Sequence, residues 1–377
     1  MNIFHINSYF VSRNLYKNIY DHQIAKGDHI KVFVPVSIKR TPAEFDRGNY
    51  TDISYNFSNF DRYFFFIKHF KIYQDYKRKY AEFPYEIMHA HSLFSNGFIS
   101  YLIKRDRHIP YITAVRDTDV NSFFKYRFYL RGIGNKILSS ADRVIFLSAS
   151  YRDQVVSKYV KKNIQAEVLE KSVVIPNGIS DIWLRNIPDK DKKIKDTKSI
   201  NIICTGIIDK RKNCKVTVEA CRKLIEKGFS VQLTFIGKVI DQNIYEAVTK
   251  HSFVRYLNPT DAENLIKIYA DQDIFVMPSR TETFGLVYAE AISQGLPVVY
   301  TKGQGFDGQF EDGYVGYAAD SGNPADVADK IEKILKNYDV ISNNCKKAAW
   351  KFDWKNICAE YDEIYKEIAL PQRDFSG

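Results

Sequence analysis

Residues 273–301, DIFVMPSRTETFGLVYAEAISQGLPVVYT, change hydrophobic period twice within one stretch. Ile274 to Met277 form a short unbroken apolar run, the pattern of a strand buried on both faces. Pro278 and Ser279 break it, and a polar turn, Arg280-Thr281-Glu282-Thr283, follows. Phe284, Leu286, Val287, Ala291 and Ile292 then recur at helical spacing until Gly295 and Pro297 stop the helix. A second apolar strand, Val298 to Tyr300, closes a βαβ unit. Glu282 stands at the helix mouth and Glu290 about two turns along. The first turn of a helix leaves backbone N–H groups unpaired, here near Phe284, Gly285 and Leu286, and such groups receive anions. A glutamate beside an anion site fits a ligand that carries hydroxyls as well as phosphate, as a sugar nucleotide does. Taken alone, the two acids also fit a helix-capping carboxylate and a solvated helix residue.

The same stretch resembles the donor-binding motif of the retaining glycosyltransferases of family 4, which have the two-domain GT-B fold. Glu282, seven residues and Glu290 stand in that pattern, with Phe284-Gly285-Leu286 after the first acid and Gly295-Leu296-Pro297-Val298-Val299 at the helix end. The resemblance implies an α/β protein of two Rossmann-like doubly wound domains facing each other across a cleft. It implies that Glu282 holds sugar hydroxyls and Glu290 the nucleotide ribose, with Thr283, Phe284, Gly285 and Leu286 lining the donor. No metal and no resident cofactor are implied; the nucleotide-sugar is a co-substrate.

A length of 377 residues suits about two domains. No window approaches the ~20 apolar residues of a spanning helix. The start, MNIFHINSYF, enters a strand with no basic, apolar and cleavage pattern, so export is not expected. Five scattered cysteines form no metal-like spacing and suit reduced thiols. The net charge is +10, and residues 1–185 hold 28 Lys and Arg against 17 Asp and Glu, while the remainder holds 27 against 28. Such asymmetry points to a polyanionic partner for the first half, nucleic acid or an anionic membrane face, or simply to a solvated basic surface.

Along the chain, 2–7 and 30–36 read as strands around a helix at about 11–26. The turn Ser8 to Arg13 lacks the glycines common in the family, where the acceptor approaches. Residues 40–82 read as irregular and then aromatic and basic, FDRYFFFIKHFKIYQDYKRKY. On a helix, Phe64, Ile67, Phe70 or Lys71, and Tyr73 or Gln74 give a rough apolar face. A basic aromatic segment of this kind suits either a core helix or a membrane-surface helix, and 121–132, NSFFKYRFYLRG, has the same flavour. His89 and His91 share a strand face, and with no third ligand nearby in sequence a buried, hydrogen-bonded role is expected rather than a metal site. The strand 109–115 ends in Arg116-Asp117-Thr118-Asp119. Many family members have a histidine where Arg116 stands. Arg116 can offer a planar donor fork to phosphate or sugar, and Asp117 or Asp119 can take an acceptor proton; an Arg–Asp pair capping the strand end is the plainer alternative.

Val-Ile-Pro-Asn-Gly-Ile at 174–179 resembles the close of the first domain, giving 1–187 as acceptor domain, 188–199 as a charged linker and 200–351 as donor domain. The amphipathic stretch 352–368 is expected to pack back on the first domain. In the family, a strand like SINIICTG, ending at Gly206, leads to an Arg and then a Lys that grip the donor diphosphate. Lys212 matches the lysine, Ile207 stands in the arginine's place, and Arg211 is the nearest substitute. Gly303-Gln304-Gly305 reads as a turn near the donor. The resemblance implies a retaining hexosyltransferase that takes a hexose from a nucleotide-sugar, a UDP-sugar foremost, to a lipid-linked or polymeric surface glycan. Capsule or cell-envelope polysaccharide synthesis on the inner membrane face is the expected setting. Two rivals are a nucleic-acid-binding protein, which lacks any such motif, and a sugar-nucleotide epimerase of the same fold.

Overall fold

A computed structural model describes residues 1–194 and 196–369. The described chain divides into two compact units: Met1–Leu147 with Arg152–Ile175 and the residues from Cys358 to Ala369, and Ser148–Tyr151 with Pro176–Ile357.

The first unit is built on seven parallel strands. They are β1 (Asn2–Ile6), β2 (His29–Ser37), β3 (Thr51–Phe57), β4 (Ile87–Ala90), β5 (Tyr111–Ala114), β6 (Arg143–Phe146) and β7 (Ser172–Val174). Their spatial order is β3-β2-β1-β4-β5-β6-β7, with the order reversing at β1/β4. The second unit has β8 (Ser199–Thr205), β9 (Ser230–Ile236), β10 (Val254–Leu257), β11 (Ile274–Val276), β12 (Val298–Thr301) and β13 (Gly316–Ala319), ordered β10-β9-β8-β11-β12-β13 and again all parallel. Helices cover both sheets, so central strands such as β11, with Ile274, Phe275 and Val276 at 0% exposure, are apolar throughout. Each unit is thus a Rossmann-like doubly wound domain.

Three readings of the sequence change. First, residues 51–57 are not irregular: TDISYNF is the edge strand β3. Its Asp52, Ser54 and Asn56 bond to Lys79, Tyr80 and Asp75 of the next helix, so the covered face is polar and hides from a hydrophobic pattern. Second, that helix, Phe65–Tyr80, buries Phe65, His69, Ile72, Tyr73, Tyr76 and Tyr80. Phe64, Ile67 and Phe70, expected on the apolar face, are exposed. Aromatic residues on both faces defeat the periodicity. Third, the described residues of the stretch 188–199 belong to the second unit. Its Lys192 Nζ donates to the carbonyls of Tyr269, Ala270 and Gln272 at 2.7–2.8 Å, closing the C-terminal end of the helix Ala262–Ala270. Burial lowers this lysine to about 8.

The helix Trp354–Ala369 begins in the second unit, with Trp354 over Gly178, and from Cys358 belongs to the first. There Asp362 takes Lys26 and His22, and Tyr365 OH meets His89 Nδ1 at 2.6 Å. All five cysteines are buried. Among the described residues no helix is long and apolar enough to cross a membrane.

Candidate active site

In a parallel sheet the carboxyl ends of the strands and the helix starts beyond them form the natural binding edge. In the second unit, three loops are tied together there. Arg280 N–H donates to the Arg211 carbonyl at 2.8 Å, joining the loops after β8 and β11. Gly305 N–H donates to the Glu282 carbonyl at 2.7 Å, and Gln304 Oε1 accepts from Glu282 N–H at 2.9 Å, joining the loops after β11 and β12. The backbone of Glu282 is therefore held from both directions by Gly303-Gln304-Gly305. A side chain at Gly305 would place its Cβ 2.0 Å from the Thr283 carbonyl carbon, so this close approach demands glycine.

The Glu282 carboxylate accepts from Lys212 Nζ at 2.7 Å and from Arg211 Nη1 at 3.4 Å. The Lys212 and Glu282 side chains are only 9% and 12% exposed, so the pair is largely dry and each charge depends on its partner. Asp209 Oδ1 accepts from Lys212 N–H at 2.8 Å, and Asn213 follows in the left-handed region, φ 59°, to start the helix Cys214–Glu226. The lysine stem runs over Gly206, where a Cβ would lie 3.2 Å from Lys212 Cε. Gly206 (φ 143°) and Gly237 (φ 154°) approach so closely that a Cβ on Gly237 would lie 1.8 Å from the Gly206 oxygen. The ends of β8 and β9 can meet only with glycine there.

Gly285, with φ 79°, precedes the helix Leu286–Ser293; Tyr288 N–H donates to the Gly285 carbonyl at 3.0 Å, and the N–H groups before it precede any intrahelical acceptor. The Phe284 ring is buried against Phe352 at 5.5 Å, so it anchors the loop and leaves its backbone for any ligand. Thr283 and Leu286 are half-buried. Glu290 sits two turns along, within electrostatic reach of Tyr269, whose hydroxyl bonds Thr205 Oγ1 at 3.0 Å beside Gly206. Burial pushes its carboxyl up to about 7. The structure thus gathers Gly206, Arg211, Lys212, Glu282, Thr283, Gly285 and Leu286 along one edge and sets Glu290 on the helix behind it. Asp209, Gln304 and Gly305 also hold this edge. Only the last two had a sequence signal, a turn, and nothing in it pointed to Glu282.

In the first unit, Arg116 follows β5 and is 7% exposed; its Nε donates to the His91 carbonyl at 3.4 Å and its guanidinium lies over the Tyr16 ring. Asp117 is exposed and accepts from Asn121 Nδ2 at 2.7 Å. Asp119 is buried, and its two oxygens accept from the backbone N–H groups of Leu93, Phe94 and Arg116 at 2.9–3.0 Å. Burial pushes it up to about 6 against those bonds. Both of its oxygens are engaged in holding the ends of β4 and β5, which fits an anchor better than a proton acceptor. The glycine-free turn after β1 is a short 3₁₀ turn, Ser8–Val11, capped by Asn7.

Beneath it, the expected pair of histidines is a trio. Strand pairing sets His5 of β1 against His89 of β4, and the ring nitrogens of His5, His89 and His91 lie within 4.8 Å of one another. Sequence spacing alone offers no third imidazole, because His5 comes from a distant strand. His5 bonds His91 at 3.1 Å and Gln23 at 2.8 Å, and Tyr20 OH bonds His91 at 3.1 Å. Burial drives His5 down to about 3 and the other two well below the ordinary range, so all three are neutral at pH 7.

The model of "Glycosyl transferases group 1" matches residues 186–352, and that of "Glycosyltransferase Family 4" matches residues 14–181. An uncharacterized glycosyltransferase of Methanocaldococcus jannaschii is 24% identical over 75% of this chain and 76% of its own length. A D-inositol 3-phosphate glycosyltransferase of Paenarthrobacter aurescens is 26% identical over 63% of this chain and 61% of its own. Among solved structures, a sucrose-phosphate synthase of Thermosynechococcus elongatus superposes with a TM-score of 0.75 at 17% identity, covering 98% of this chain and 99% of that one. HepE of Anabaena, in complex with UDP and glucose, gives 0.66 at 16% identity, covering 97% of this chain and 100% of that one. Two matching family models, one on each half, and two Rossmann-like domains lead to one conclusion: the chain belongs to the family 4, group 1 glycosyltransferases of the GT-B fold.

Proposed function

We propose that this chain is a retaining hexosyltransferase that uses a nucleotide-sugar, a UDP-sugar foremost, and a lipid-linked or polymeric glycan acceptor. It works in cell-envelope or capsule polysaccharide synthesis, on the cytoplasmic side of an anionic membrane. The observation that carries this reading is the Glu282–Lys212–Arg211 cluster beside a helix start. One carboxylate and two cations at one edge match a ligand with both hydroxyls and a diphosphate. HepE, of the same fold, binds UDP and glucose, which supports UDP as the carrier.

In this reading Lys212, Arg211 and the N–H groups at 284–286 take the diphosphate, Glu282 turns to the sugar hydroxyls, and Glu290 accepts from the ribose. The bond from the anomeric carbon to the diphosphate oxygen breaks, and the acceptor oxygen attacks from the same face. The acceptor proton passes to the departing phosphate oxygen, so no protein nucleophile and no metal is used. The cations stabilise the negative charge that grows on the leaving group, the electrostatic contribution that usually dominates such sites. Glu282 fixes the sugar in line, a positioning effect. Arg116 and Asp117 serve the acceptor side.

Thermal-shift screening against UDP-, GDP- and ADP-sugars tests the donor, since a ligand bound to the native state alone raises the melting temperature. A UDP-sugar shift followed by acceptor-dependent product of retained configuration supports the reading. Donor turnover into an epimer with no acceptor present would replace it.

A further inference from the structure

The first unit carries an exposed aromatic surface that sugar transfer does not use. Phe60, Tyr63, Phe64 and Phe66 are 45–78% exposed, and Tyr126 and Phe128 are 69% and 72% exposed. The two sets come from segments sixty residues apart in sequence, roughly counted, and they meet in space. Buried Phe65 packs on Phe123 at 6.1 Å, and one turn on, Lys68 has Arg62 and Arg127 as the charges within its reach. Both are positive.

The pairing of charges along this surface is uneven. Beyond Lys68 every cation of the helix Phe65–Tyr80 has an acid: Lys71 takes Asp61, the one carboxylate of the aromatic turn Phe60–Tyr63, Lys77 has Asp106, and Arg78 and Lys79 share Asp75. At the aromatic end, Arg62, Lys68 and Arg127 have no carboxylate partner among the described residues. Lys68 Nζ lies 5.0 Å from the Phe57 ring centre, Arg127 lies 4.8 Å from that of Phe123, and Arg62 reaches only the Ser37 hydroxyl at 3.4 Å. Burial and the two like charges lower the Lys68 ammonium to about 8, so the cluster is under electrostatic tension that an anion would relieve. Phenylalanine rings standing in water on either side have no polar edge to satisfy them. A contiguous exposed apolar surface of this kind marks an interaction site.

We propose that Arg62, Lys68 and Arg127 form a cradle for the phosphates of anionic lipid headgroups, flanked by Phe60, Phe64, Phe66 and Phe128 as rings that enter the acyl boundary. Unpaired cations at headgroup depth with rings just below them is the arrangement that lets a protein lie on a bilayer without spanning it. Of the anionic partners open to a basic face, a bilayer alone offers phosphate and hydrocarbon together. The surface deepens the membrane part of the proposed function and rests on it only for its purpose; its chemistry is independent of the donor edge.

The test is co-sedimentation of the full chain with phosphatidylcholine vesicles, with and without about one-third phosphatidylglycerol, in low and high salt. The wild type should sediment with the anionic vesicles and be released from them in part by salt. Arg62→Ala with Arg127→Ala should weaken this about 30-fold, taking about fivefold per cation near an anionic leaflet. Phe66→Ser with Phe128→Ser should weaken it at both salt levels, because ring burial is not screened. Unchanged circular dichroism and an unchanged UDP-induced thermal shift establish that each variant is folded. Equal binding to neutral vesicles, no binding by the wild type, or double variants that bind like the wild type overturn the proposal. Salt-sensitive binding to duplex DNA without binding to vesicles overturns it in favour of nucleic acid. A chain that transfers sugar to a water-soluble acceptor yet ignores vesicles sinks this surface alone. One that binds vesicles but takes no nucleotide-sugar sinks the transferase reading alone.

Discussion

The two sheets share a fold and a binding edge but solve opposite electrostatic problems there. At the ends of β8, β11 and β12, one carboxylate holds two cations, and Lys212 and Glu282 form a nearly dry pair. At the ends of β1, β4 and β5, one buried arginine stands near three imidazoles that burial keeps neutral. In the proposed reading the Lys212–Glu282 pair exchanges partners: a diphosphate that takes Lys212 frees Glu282 for hydroxyls. In the first-unit layer His5 bonds His91 and Gln23, Tyr20 bonds His91, and Arg116 bonds the His91 carbonyl, so most of its hydrogen bonding is turned inward. In the proposed reading one edge trades charges with its ligand, while the other is shaped by neutral rings and leaves the charged contacts to Arg116 and Asp117.

Glu282→Gln tests this contrast most sharply, since it keeps shape and removes the charge. Transfer should fall on the order of a hundredfold or more with the fold intact, as expected when a positioning group at the reacting centre is lost. Nucleotide affinity should hold or rise, because Lys212 is then free for phosphate. Near-normal turnover would remove Glu282 from the site. Lys212→Ala comes next, with nucleotide affinity expected to drop about 10- to 100-fold, the loss of one charge-assisted hydrogen bond. Isothermal titration with UDP measures it, and an unchanged Kd would show that the diphosphate binds elsewhere.

The first unit should instead respond to acid. His5 titrates near 3 when folded and near 6.5 when unfolded, so the unfolded chain takes the proton first as pH falls. Stability from this group is complete above pH 6.5 and is lost towards pH 3. By pH 5 the loss reaches about 2 kcal/mol, and His69, also near 3, adds a similar amount. Urea unfolding followed by tyrosine circular dichroism at pH 7 and 5 measures it, and a flat response would break the picture of a neutral layer. The smallest effect concerns Glu290. Its carboxyl titrates near 7, and the ionised form is the better acceptor for ribose hydroxyls. UDP affinity should therefore weaken as pH falls from 7.5 to 6, by up to about eightfold for one linked proton. Glu290→Gln should abolish that slope.

The same contrast explains what the sequence disclosed. The donor edge is contiguous: Glu282 to Glu290 lie in one βαβ unit, so their order survives as a readable motif. Even there, Gln304 and Gly305 read only as a turn near the donor, and their hold on Glu282 stayed hidden, because that turn lies twenty-odd residues on, by rough count. The histidine layer needs β1 beside β4, a pairing that only the folded sheet reveals. Strand β3 escaped because its covered face is polar. The apolar face of the helix Phe65–Tyr80 was misassigned because rings on both faces carry no period. Patterns of burial can be read only where polarity and burial agree, and these segments break that agreement.

The five inward thiols have a practical consequence. Maleimide dyes react with accessible sulfhydryls, and this chain presents none among its described residues. A single cysteine placed at Phe128 would then be the one labelled position, with no background to engineer away. An environment-sensitive fluorophore there would report in real time whether that tip meets hydrocarbon or stays in water.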